Sequence, residues 1–155
     1  MLIRPAEAQD DDGIWRVVEP TIRAGETYPL ARDLTKADAL AYWRSSAHEV
    51  HVAEAGGAIV GTYYLRANNQ GGGAHVANCG YIVAASASGR GIARAMCTHS
   101  LARARARGFR AMQFNFVISS NERAVRLWQS CGFELVAFEH PRLGLVDALV
   151  MYRKL

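Results

Sequence analysis

The stretch Ser88-Gly89-Arg90-Gly91-Ile92-Ala93 is the first place where residue types and spacing suggest chemistry. Two glycines one residue apart allow close backbone approach and dihedrals that other residues avoid. The loop opens directly into a helix, whose first N–H groups and dipole can hold a phosphate. Arg90 and Arg94 add positive charge beside it. The same pattern also describes a plain turn before a helix, so it needs support. A second pattern follows downstream, Asn121-Glu122-Arg123-Ala124-Val125-Arg126-Leu127-Trp128, then Gln129-Ser130-Cys131-Gly132-Phe133. Between the two, Asn115 sits in a run flanked by aromatic residues, where its amide must find hydrogen-bond partners.

Several elements must position these residues. Leu2-Ile3-Arg4 reads as a short strand stopped by Pro5. Asp10 to Asp12 read as the cap and first turn of a helix carrying Ile14, Trp15, Val18 and Ile22 at helical spacing. Pro20 is expected to kink or end that helix early. Thr35 caps a second helix through about Trp43. Glu49 to Ala55, the Gly56-Gly57 turn and Ala58 to Arg66 form a hairpin. His75 to Ala84 is a fourth strand, Ile92 to Arg107 a helix, and Phe109 to Ile118 a fifth strand. Ser119 or Ser120 caps a helix to Ser130, with Gly132 at its C-terminal turn. Phe133 to Phe138 and Leu145 to Tyr152 are the last strands. Helices do not alternate regularly with strands, which argues against a doubly wound nucleotide fold.

The chain has 155 residues, 50% hydrophobic and 21% charged, which suits one domain spanning residues 1–155. That composition excludes a disordered chain and a Cys-dense secreted scaffold. The net charge is +4, and all but Lys36 and Lys154 of the 18 basic side chains are arginine. The excess leaves a phosphate-bearing small molecule and a nucleic acid equally open. Arg103, Arg105, Arg107 and Arg110 suggest the latter, but only Arg103 and Arg107 share a helix face, and no aromatic interleaving accompanies them. A solvated helix end is the better reading. The cysteines, Cys79, Cys97 and Cys131, lack metal spacing and read as free thiols in a reducing compartment. No apolar run reaches the length of a membrane span, and no signal peptide is read at the N-terminus. The expectations are a cytoplasmic protein with no metal, no membrane and no nucleic-acid partner.

Together the two motifs resemble the GCN5-related N-acetyltransferase (GNAT) family. The resemblance implies a mixed α/β (α+β) fold. Its mostly antiparallel sheet has about seven strands, helices lie on both faces, and strands four and five splay apart. It implies acetyl-CoA as cofactor, with its pyrophosphate on Ser88, Gly89, Arg90, Gly91, Ile92, Ala93 and Arg94. The strand at Ile82 and Val83 would meet the pantetheine amides. Asn121 would reach the cofactor or cap its helix, and Ala124 would leave room for the cofactor arm. Two departures stand out. Trp128 replaces the Tyr that protonates the leaving thiolate in many relatives, and is read as packing on the cofactor or filling core. Asn78 stands where a Glu base is common, and an amide takes no proton at neutral pH. Asn78 and Asn115 are therefore read as orienting the amine and a water, with the bare alternative that they bond across the splay. Glu26, Tyr28, Tyr64 and His75 are the acceptor-side candidates.

Gly61-Thr62-Tyr63-Tyr64, Asn78-Cys79-Gly80-Tyr81, Ala111 to Asn115, and His140-Pro141 through Tyr152 resemble acetyltransferases acting on azetidine-2-carboxylate and other proline analogues. That implies a small amino or imino acid as acceptor. A peptide, protein or antibiotic amine is an alternative, as is a non-catalytic acyl-CoA sensor. A homodimer is left open.

Overall fold

The computed structural model describes residues 1–136 and 148–155. The elements run β1 (Leu2–Pro5), α1 (Asp11–Ala24), α2 (Lys36–Trp43), β2 (Glu49–Ala55), β3 (Ala58–Ala67), β4 (Val76–Val83), α3 (Ile92–Ala106), β5 (Ala111–Ile118), α4 (Glu122–Ser130), β6 (Glu134–Val136) and β7 (Ala148–Lys154). They build a seven-stranded sheet in the order β1-β2-β3-β4-β5-β7-β6. Every neighbouring pair is antiparallel except β4 and β5. This is the mixed α/β architecture expected. The last-strand readings at 137–138 and 145–147, and His140-Pro141, lie outside the described residues.

Strand alternation sorts the sheet's side chains into two cores. Tyr64, Val52 and Ile82 join Ile14, Val18, Ile22 and Trp43 beneath α1 and α2. Tyr63, Ala53 and Leu65 join Met96, Cys97, Phe114, Trp128 and Met151 beneath α3 and α4. The helices therefore cover both faces.

Three local expectations are corrected. Pro20 lies inside α1, which continues to Ala24. The missing helical hydrogen bond costs about 3 kcal/mol, while each fully buried aliphatic side chain contributes roughly 1.5–3 kcal/mol. Ile14, Val17, Val18 and Ile22 are all buried, so the packed face wins. Asp10 stands at the N-cap of α1, with Asp11 and Asp12 in the first turn as expected, but its side chain makes no capping bond. Its carboxylate instead accepts from both terminal nitrogens of Arg4, at 2.7 and 2.8 Å, and from the Glu7 N–H. Finally, neither Ser119 nor Ser120 caps α4; Asn121 does, as its helix-cap reading had it, with Oδ1 accepting from the Ala124 N–H at 3.1 Å. Thr35 caps α2 as expected.

Candidate active site at the splay between two strands

The parallel pairing of β4 and β5 extends only over Val76 with Ala111 and Ala77 with Met112. Beyond that point the two strands part. A bulge in β5 between Phe114 and Val117 leaves Asn115 and Phe116 out of register with β7 and exposed. A bulge of this kind re-aims side chains, and here both residues turn into the opening.

One side of the opening is a cavity of about 660 Å³ against the loop before α3. Ser88, Gly89, Gly91, Ile92, Ala93 and Arg94 line it, with Val83, Asn121, Ala124 and Trp128. Gly89 and Gly91 have φ of 80° and 77°, a region that favours glycine. A side chain at Gly91 would meet nothing, so its backbone angle alone requires glycine there. Ala95 is the first residue of α3 whose N–H bonds back, to the Gly91 carbonyl. The preceding N–H groups are left to face the cavity mouth, which suits an anion. Arg123 and Arg126 also line this cavity, whereas Arg90 does not. The expected charge thus comes mainly from α4. Arg94 also donates to Ser130 Oγ at 2.8 Å. Ile82 turns its side chain into the opposite core.

The other side is a cleft of about 400 Å³. Tyr28, Tyr42, Tyr64, Phe114, Phe116 and Trp128 form its walls, and Arg66, Asn78 and Asn115 its polar groups. Tyr81, Asn121, Ala124 and Trp128 line both spaces. Trp128 is packed 4.9 Å from Tyr81 and 5.1 Å from Phe114, centroid to centroid, so it fills core and forms the wall between the two spaces.

Asn78 is buried. Its Nδ2 donates to the Gln113 carbonyl at 2.9 Å, and its Oδ1 accepts from Arg66 Nε at 3.4 Å. Asn115 accepts from Gln113 Nε2 at 2.9 Å and donates to Asn68 Oδ1 at 2.7 Å. The two asparagines are therefore linked through Gln113, one to its backbone and one to its side chain.

The phenols here are held neutral. Burial pushes Tyr28, Tyr64 and Tyr81 well above the ordinary tyrosine value. Tyr28 donates its hydroxyl to the Tyr81 carbonyl at 3.2 Å. Burial also pushes the Cys79 thiol up to about 12. No Asp, Glu or His is among the described residues lining the cleft.

Two acceptor-side candidates are not brought to the cleft. His75 is exposed at the closed end of the β4–β5 pair, where its Nδ1 meets the Gly72 carbonyl at 2.9 Å. Glu26 is exposed and does not line the cleft, although its neighbours Thr27, Tyr28 and Pro29 do. Sequence reasoning missed Arg66, Tyr42, Phe116, Arg123 and Arg126. Period-two alternation from Tyr64 carried the signal for Arg66, since both belong to one face of β3.

Arg103 and Arg107, the arginine pair sharing a face of α3, both bond Glu49 of β2. Among the described residues, no helix is long and apolar enough to cross a membrane, and no cluster of three or more His, Cys, Asp or Glu could hold a metal ion.

Comparison with known proteins agrees with this fold. A GCN5-related N-acetyltransferase from Kribbella flavida matches with a TM-score of 0.89 and 39% identity, over 99% of this chain and 97% of that one. A putative acetyltransferase from Salmonella typhimurium, solved with its cofactor acetyl-CoA, shares the fold at a TM-score of 0.85 and 21% identity, covering 99% of this chain and 93% of that one. N-acetyltransferase aca1 of Schizosaccharomyces pombe is 32% identical over 75 residues, 48% of this chain and 36% of that protein. This chain thus spans about a third of that relative's length. The model of the acetyltransferase (GNAT) family matches residues 16–133. With that match over most of its length, the chain belongs to the GNAT family of acetyl-CoA-dependent acetyltransferases.

Proposed function

We propose that this protein moves the acetyl group of acetyl-CoA to the amine of a small molecule, an amino or imino acid of the proline-analogue type. The observation that carries this reading is the meeting of two cavities at Trp128 and Ala124, one edged by a phosphate-type loop and one enclosed by aromatic side chains. The thioester would lie at that junction, with the amine entering from the aromatic side.

In this reading the loop from Ser88 to Arg94, with Arg123 and Arg126, holds the pyrophosphate. Backbone groups around Val83, freed by the splay, bond the pantetheine arm, and a strand N–H there donates to the thioester oxygen as negative charge develops. Asn78 and Asn115 orient the amine and a water. Nitrogen attacks the carbonyl carbon, the C–N bond forms, the C–S bond breaks, and the thiolate leaves. The amine's proton passes to water, since the cleft offers no carboxylate or imidazole among its described lining residues. Catalysis then rests on proximity and on fixed donors. Size also favours a small acceptor, because about 400 Å³ lies at the small end of ordinary ligand pockets.

The test is an acetyl-CoA thiol-release screen across amino and imino acids, polyamines, aminoglycosides and peptides. Turnover with small amino or imino acids is expected. Turnover confined to peptides or aminoglycosides overturns the reading.

A further inference from the structure

Arg66 is the one cation among the described residues lining the aromatic cleft, and no Asp or Glu lines it. The side chain stands at the end of β3, in register with Asn78 of β4. Its Nε is occupied by Asn78 Oδ1. No carboxylate among the described residues pairs with its guanidinium, although it is partly buried in the cleft wall. A half-buried guanidinium beside aromatic walls is poorly solvated and gains from an anion. Its planar fork fits a carboxylate with two parallel N–H bonds.

Asn78 connects this charge to the reaction centre. The same amide that accepts from Arg66 donates to the Gln113 carbonyl across the opening. The Arg66 bond, at 3.4 Å, sets the guanidinium beside the splay.

We infer that Arg66 reads an anionic group on the acceptor, so that the acceptor is an amine carrying a carboxylate close to its nitrogen, and that amines with a second cationic group are rejected. This rests on the acetyl-transfer reading above and adds to it the side chain that recognises the acceptor's carboxylate. A polyamine would bring positive charge toward Arg66 with no acid to receive it.

The experiment compares L-proline with prolinamide, glycine with glycinamide, and 1,4-diaminobutane, for the wild type and for Arg66→Gln, Arg66→Lys and Arg66→Glu. Wild type is expected to favour each carboxylate over its amide. Arg66→Gln should raise KM for the carboxylates about 10- to 100-fold, the worth of a hydrogen bond to a charged group. Its kcat should change much less, with partial rescue in Arg66→Lys. Arg66→Glu should shift preference toward the diamine. Binding of N-acetylproline and its amide is measured in parallel by calorimetry with coenzyme A present, which requires no turnover. Equal binding of the two, or a carboxylate preference unchanged in Arg66→Gln, overturns the inference while leaving acetyl transfer intact. A carboxylate preference in binding that depends on Arg66, with no amine acetylated, supports the inference and sinks the acetyl-transfer reading instead.

Discussion

The Asn78 side chain donates to the Gln113 carbonyl at 2.9 Å, across the line where β4 and β5 stop pairing. A buried side-chain amide thus replaces a strand hydrogen bond where the sheet opens. This bond spans the opening, and Asn115 is tied to the same Gln113 through its side chain.

Replacing Asn78 with Ala leaves the Gln113 carbonyl without that donor. Turnover is expected to fall about 5- to 150-fold, the equivalent of the roughly 1–3 kcal/mol that an unsatisfied polar group costs. Acetyl-CoA affinity should change little. Asn115→Ala should show the same pattern, weaker because that residue is exposed. Steady-state kinetics with direct cofactor titration checks both, and unchanged turnover removes these asparagines from the mechanism.

The cleft's lack of a titrating base among its described lining residues predicts a particular pH profile. The kcat/KM for the acceptor should climb with pH until the acceptor amine's own pKa is reached. An enzyme-borne carboxylate or imidazole would instead give a break between about pH 4 and 7. Acceptors of differing amine basicity separate the two, because the break should move with the acceptor.

Charge at the cavity before α3 comes from Arg123 and Arg126 of α4 as well as Arg94 of α3. Arg123→Ala with Arg126→Ala should raise the acetyl-CoA KM several-fold, and more strongly at low salt. Arg90→Ala should do less, as Arg90 does not line the cavity. An Arg90 effect larger than that of the α4 pair would reverse this assignment.

Gly80 lies beneath two cleft tyrosines. A Cβ there would come 2.6 Å from Tyr64 Cε1 and 2.8 Å from the Tyr28 hydroxyl. Gly80→Ala should therefore destabilise the fold by about 1–3 kcal/mol, the usual range for overpacking. It should also loosen the Tyr28 bond to the Tyr81 carbonyl. Urea denaturation gives the first quantity, and acceptor KM reports the second.

Acid should weaken the fold before its carboxylates titrate. His51 is buried, stacked 4.9 Å from Tyr63, and its Nδ1 has no hydrogen-bond partner among the described residues. Burial holds it down to about 4 from an ordinary 6.5, against an opposing pull from Glu49. Below pH 6.5 the unfolded chain gains a proton that the folded chain refuses. The stability is therefore complete above 6.5 and lost as pH falls toward 4, by about 2 kcal/mol at pH 5. Burial depresses His48 and His99 in the same direction. Urea melts at pH 7 and pH 5 measure the loss, and His51→Phe, which keeps the stack on Tyr63, should flatten it.

What the sequence disclosed follows from how local each signal is. The β2–β3 hairpin was legible because period-two alternation and a Gly-Gly turn are both local, and Gly56 and Gly57 indeed carry φ of 60° and 75°. The loop before α3 was legible for the same reason. Pro20 does not end α1 early because its local cost is outweighed by burial that only the folded sheet supplies. Asp10 misled because Arg4, across the turn from β1, outbids the helix N-terminus for its carboxylate. Arg90 and Arg123 could not be ranked from spacing, since which one faces the phosphate cavity depends on how α4 packs beside the loop. His75 and Glu26 were drawn in by chemical type alone, and strand direction puts His75 at the wrong end of β4.

The short contact between β4 and β5 has a thermodynamic corollary. The sheet lacks rungs at its centre, and an extended arm with amides of its own is the kind of ligand that supplies them. Occupancy and folding are then one linked equilibrium. A cofactor present at a hundred times its dissociation constant would add about 2.7 kcal/mol to the folded state. The melting temperature of this protein should therefore rise with acetyl-CoA concentration, the proposed binding mode making the cofactor's arm a substitute for the missing rungs.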